Sequence, residues 1–144
     1  MKNHFRPDYS SCHVVCYDSK TEPVWDFNAN QSGYQPGKNS YANKVDTPYR
    51  DASAASITAS ALLELSTLTT SGNYKETAVK MLESLSSATY LAQPGTNAGF
   101  LIKHCVGSIP HQVEIDVPLV YADYYYIEAL HRYGRLQVGK GIVE

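Results

Sequence analysis

Thiol and imidazole side chains, the groups best suited to soft-metal binding or nucleophilic work, fall in two places: Cys12, His13 and Cys16 near the start, and His104 with Cys105 further on. These two clusters hold soft and imidazole ligands, but their spacing fits no known zinc knuckle and buried thiols that pack like small hydrophobes are the plainer reading, so no metal is expected. Three cysteines are an odd number and widely scattered, which argues against a disulfide framework and for a reducing compartment. Asp123 and Glu128 could form a carboxylate pair for acid and base work, but five residues apart on a helix they point to different faces. Arg50 and Asp51 read more simply as an ion pair and a helix cap than as catalysts. Trp25, between Pro23 and Phe27, could stack on a sugar ring, although such a residue more often anchors a loop. No phosphate-binding glycine loop, Gly-x-Ser-x-Gly elbow or His-Glu-x-x-His pair is present.

The elements that would carry these residues are mainly helical. Asp51 should cap a helix running through Ala52 to Leu65, with Ile57, Ala61, Leu65 and Leu68 on one stripe and enough Ala and Ser for a second helix to approach closely. Ser71-Gly-Asn breaks it. A second helix is expected over 74–86 with Ala78, Met81, Leu82 and Leu85 at helical spacing, completing a helical hairpin. A third should run from near Pro118 to Tyr133 and stop at Gly134, burying Leu119, Asp123, Tyr126 and Leu130. Residues 9–17 read as a short strand, which puts His13 on the face opposite Cys12 and Cys16. Residues 99–107 read as another, ending in a turn over 107–110, and 18–49 is loop chemistry within a single domain spanning 1–144.

At 144 residues, with 43% hydrophobic and 18% charged side chains, the chain can bury a core and does not have the composition of a disordered segment. A net charge of -2 gives no broad field that would draw nucleic acid or an anionic membrane. No apolar run is long enough to cross a bilayer or to act as a signal peptide, so a soluble, cytoplasmic protein is expected, with a periplasmic one the alternative. Twelve Tyr against one Trp and three Phe suit half-wet surfaces such as sugar clefts, subunit contacts or the edge of a core.

Four stretches in order carry a resemblance: His4-Phe-Arg-Pro-Asp-Tyr-Ser-Ser-Cys-His-Val-Val, Pro23-Val-Trp-Asp-Phe, Arg50-Asp-Ala-Ser-Ala-Ala-Ser-Ile-Thr-Ala-Ser-Ala-Leu-Leu-Glu-Leu, and Gly99-Phe-Leu-Ile-Lys-His together with Glu114-Ile-Asp-Val-Pro-Leu-Val-Tyr-Ala-Asp-Tyr-Tyr-Tyr-Ile-Glu-Ala-Leu. Together they resemble the C-terminal part of the unsaturated glucuronyl hydrolases, glycoside hydrolase family 88. The resemblance implies a mainly α fold, a partial (α/α)6 barrel of about three helices with short extended segments and a long loop. It implies removal of a 4,5-unsaturated uronic acid from lyase-generated glycosaminoglycan oligosaccharides. In that reaction a catalytic Asp protonates the sugar's double bond while water adds, and the ring then opens and the glycosidic link is lost. No cofactor is implied.

The same resemblance places both catalytic aspartates in a preceding half with no counterpart among these residues, so no catalytic residue is assigned and an inactive chain is expected. It also implies a helix pair with an Arg-Gly-Gln-Ala-Trp motif where Tyr17-Asp-Ser-Lys-Thr-Glu here joins two segments directly, as a natural deletion or a gene fragment would. His13 matches the histidine of Ser-Ser-x-His-Val, which resembles a contact to the unsaturated sugar. Taken without the resemblance, a lone strand histidine is more often structural. Cys105 and Ser108 stand at the serines of a Ser-x-x-Ser-x-Lys motif linked to sulfated sugars. Only Ser108 keeps the residue type, and Pro110 replaces the lysine that would meet a sulfate. His13, Cys105 and Ser108 are thus the expected substrate-binding positions. An unsaturated oligosaccharide is the expected partner, with a small sugar-binding or self-associating helical module as the alternative, its exposed helix faces covered by a homo-oligomer.

Overall fold

The computed structural model describes residues 22–26, 28–29, 32–45, 49–70 and 72–142. The expected strand over 9–17, with His13, Cys12 and Cys16, lies outside them. Three helices carry the described fold: α1 (Ala52–Leu68), α2 (Tyr74–Leu85) and α3 (Val120–Gln137). Between α2 and α3 an antiparallel pair forms, β1 (Cys105–Ser108) and β2 (Val113–Val117).

Helix α1 starts where Asp51 leaves the extended region and accepts a hydrogen bond from the Ser53 amide at 2.9 Å, as the sequence predicts. Its buried face differs from the expected stripe. Ala52, Ala55, Ala59, Leu62 and Leu63 are inside, whereas Ile57 is 39% exposed and Leu68 75%. The cause is the small-residue side of the helix. Alanines let neighbouring helices come close, so α1 packs extensively against both α2 and α3 while those two barely meet. Buried Ser56 is satisfied within its own helix, its hydroxyl donating to the Ala52 carbonyl at 2.9 Å.

Helix α2 buries the four residues its spacing predicts, Ala78, Met81, Leu82 and Leu85. The connector before it uses Gly72 at φ +91°, a left-handed backbone that suits a residue without Cβ. Helix α3 runs through Gly134 rather than ending there. It stops at Gly139 (φ +68°), where the amides of Gly139 and Lys140 donate to the carbonyls of Leu136 and Arg135, the paired bonds of a Schellman cap. It buries Ala122, Tyr126 and Ala129, and Leu130 from the expected stripe is 40% exposed.

The main core joins these helix faces to Ile102, Cys105 and Leu119. A second, smaller cluster forms where the long loop crosses the hairpin: Ala42, Val106 and Ile109 are buried, with Trp25, Tyr41 and Tyr49 packed on them. Trp25 is therefore a loop anchor, and its amide donates to the Tyr49 carbonyl at 3.0 Å. Within the loop a short 3₁₀ turn spans Tyr41–Lys44, and Val24 bridges to Arg50.

Candidate functional site

Two surfaces gather polar groups. The first is the hairpin of β1 and β2, paired Cys105 to Val117, Val106 to Ile115 and Ser108 to Val113, with an irregularity between Cys105 and Val106. Asp51 ties it to α1. One carboxylate oxygen accepts from the Ser53 amide, from the Ser53 hydroxyl at 2.6 Å and from the Val106 amide at 3.1 Å. The Ala52 amide donates to the carbonyl of His104, the residue before β1. Helix start and hairpin base are thereby one hydrogen-bonded unit.

His104, Gln112, Glu114 and Asp116 all hold positive φ, between 55° and 62°, a region costly for side chains with a Cβ. The His104 Nδ1 lies 2.7 Å from an Asp116 carboxylate oxygen, and both side chains are 45% exposed. The ring of Tyr90 meets the imidazole edge-on, with centroids 6.0 Å apart. At the hairpin's other end Ser108 and His111 share a hydrogen bond of 2.8 Å. Gly107 passes under Glu114, and a Cβ there would lie 2.8 Å from the Glu114 Cβ, so a larger residue would force Glu114 to shift.

The second surface is an open groove of about 280 Å³ between α1 and α3, lined by Ile57, Glu64, Tyr124, Tyr125, Glu128 and Arg132. Arg132 donates to the Ser60 carbonyl at 2.9 Å and pairs with Glu64 at 3.0 Å and Glu128 at 3.5 Å. Glu128 also accepts the Ser60 hydroxyl. Because 60 meets 128 and 64 meets 132, α1 and α3 run parallel. Each charge in the groove is thus met by an opposite charge or a hydrogen bond.

Asp123, on the far side of α3 from Glu128, accepts from the amides of Leu101 and Ile102, both at 2.8 Å. It holds a loop and makes no pair with Glu128, as their spacing predicts. Burial first, and then the Asp51 charge, pushes the Cys105 thiol up to about 12. Burial and the Glu22 charge raise Tyr90 to about 12. Tyr121 is also raised, by burial first, against the opposing effect of its hydrogen bond to Ser53.

No family model matches the chain. A curated unsaturated glucuronyl hydrolase of Formosa agariphila is 41% identical over 110 residues, which are 76% of this chain and 24% of that protein. The crystal structure of an unsaturated glucuronyl hydrolase specific for heparin superposes with a TM-score of 0.63 at 52% identity, over 65% of this chain and 25% of the other. The chain is a relative of the unsaturated glucuronyl hydrolases and matches a portion of them. The glycosaminoglycan-degrading unsaturated glucuronyl hydrolase of Bacillus sp. GL1 superposes at 0.60 with 27% identity, over 83% of this chain and 28% of that one. A further neighbour, a UGL variant with dGlcA-Glc-Rha-Glc, superposes at 0.59 over the same shares. The chain thus spans about a quarter of the length of the glucuronyl hydrolases it matches. The three helices and small sheet correspond to part of the α/α barrel of these enzymes.

Of the three expected substrate-binding positions, Ser108 sits on the hairpin with a partly exposed side chain. Cys105 is fully buried in the main core and offers no side-chain surface. His13 lies outside the described residues. Missing from that set is the pairing of His104 with Asp116. The alternation Val113-Glu-Ile-Asp-Val was its signal, since a strand there folds Asp116 back to the start of β1. Among the described residues no group of three or more His, Cys, Asp or Glu side chains could hold a metal, and no helix is long and apolar enough to cross a membrane.

Proposed function

We propose that this chain is a sugar-binding portion of an unsaturated glucuronyl hydrolase that performs no hydrolysis by itself. The observation that carries this reading is how the described carboxylates near the two polar surfaces are used. Asp51 and Asp123 hold backbone amides, Asp116 holds His104, and Glu64 and Glu128 hold Arg132, while Glu114 stands exposed to solvent on β2. A general acid for alkene protonation must instead be free to face its substrate, with a proton to give. The related whole enzymes would supply that acid from elsewhere in their length. Their substrate class, unsaturated uronic acid at the end of a lyase-generated oligosaccharide, is the class this portion would contact, through Ser108 and its hairpin and through His13.

The test is incubation of the purified chain with an unsaturated chondroitin disaccharide while the double-bond absorbance is followed. A flat trace beside measurable binding by calorimetry is expected. Turnover that survives repurification would overturn the reading.

A second reading, self-association, is favoured by the exposed face of α3, where Val120 is 71% and Tyr124 61% exposed. Light scattering showing a monomer at all concentrations would count against it.

A further inference from the structure

We infer that His104, oriented by Asp116, is a ligand-contacting residue whose Nε2 hydrogen-bonds a hydroxyl of an uncharged sugar. The inference rests on the reading of the chain as a sugar-binding portion. A carboxylate accepts, so the His104 Nδ1 carries the hydrogen that reaches Asp116 at 2.7 Å, and Nε2 is the ring nitrogen left to meet a ligand. Nε2 has no hydrogen-bond partner among the described residues, while the ring is 45% exposed and steadied by the Tyr90 edge. Both partners hold positive φ, +62° at His104 and +58° at Asp116.

The charge around the imidazole selects the ligand. From His104 to Val117 the chain carries Glu114 and Asp116 and no Lys or Arg, and Lys103 just before it turns its amine to the Ala88 carbonyl at 2.8 Å. A sulfate would meet repulsion there, whereas a sugar hydroxyl would not. The geometry therefore favours an unsulfated sugar at this point of the hairpin. Asp116 acts through His104 and is a positioning residue.

The test uses the full chain and two probes, an unsaturated uronyl N-acetylgalactosamine disaccharide without sulfate and its 6-sulfated form, with calorimetry and imidazole nitrogen NMR. The wild type should bind the unsulfated probe more tightly and shift the His104 Nε2 resonance. His104→Ala should lose about tenfold in affinity. His104→Gly, which relieves the positive φ, should keep its melting temperature and lose the same binding, whereas a purely structural His104 would show a lowered melting temperature. Asp116→Ala should mix the two imidazole tautomers, and Glu114→Gln with Asp116→Asn should raise affinity for the sulfated probe. Equal binding by wild type and His104→Ala overturns this inference alone, and so does tighter binding of the sulfated probe by the wild type. Failure of the wild type to bind either probe overturns the sugar-binding reading and the inference with it.

Discussion

Cys105 is a thiol enclosed by Leu119, Ile102 and the start of α1, and its ionisation is displaced to about 12 because a thiolate there would lose its water. The unfolded thiol ionises at its ordinary 9.0, so the folded state holds its proton more tightly. Stability is then unaffected by this group below about pH 9 and falls as pH rises towards about 12. Tyr90, raised from 10.0 to about 12, adds to the loss over the upper part of that window. Urea midpoints measured from neutral to strongly alkaline pH should decline in that order, and a flat profile through about pH 11 would contradict the burial of both groups. Asp123 offers a second prediction at this scale. Asp123→Ala leaves the amides of Leu101 and buried Ile102 without their acceptor and should cost about 2 kcal/mol in urea unfolding. Asp123→Asn, which keeps one acceptor oxygen, should cost less.

Helix α1 shows where elements could and could not be read from residues. Its start, length and cap follow from Asp51 and the Ala-rich run, because local hydrogen bonding and propensity decide those features. Its orientation did not follow. Hydrophobicity points to Ile57, Leu65 and Leu68, but close approach of two helices selects the alanine side, and that choice is tertiary. Ala59→Leu should therefore destabilise the chain by about 2 kcal/mol through overpacking, while Ile57→Ala should change stability by less than about 1 kcal/mol; thermal melts compare them. In α2, a single bulky stripe leaves no such competition and the buried face was legible from spacing. The hairpin was half legible. Pro110 marks the turn, which falls at 109–112, but Gly107, expected to open it, lies within β1, and β2 sits on positive φ at Glu114 and Asp116, a backbone that residue type does not announce. Of the candidate site, Ser108 could be singled out directly, whereas the pairing of His104 with Asp116 could be reached only through the alternation of that second strand.

As a whole the described molecule is one layer of helices with α1 at its centre and with apolar side chains left facing out. Val120, Tyr124 and Ile127 lie on one line along α3 and are 71%, 61% and 53% exposed. Uncovered apolar surface of this kind should bind a hydrophobic dye in the native state and drive concentration-dependent association. Sedimentation velocity should show larger species as concentration rises, and Val120→Lys with Ile127→Lys should abolish them without loss of helical circular dichroism. A single sharp monomer boundary for the wild type would contradict this. The oxygen of Asp51 that reaches both Ser53 and Val106 has a kinetic consequence: residues 55 apart in sequence, from Asp51 to Val106, are fastened at one atom. Amide hydrogens at the first turn of α1 and at the head of β1 should then exchange with deuterium together, through a shared opening, and so mark a single cooperative unit.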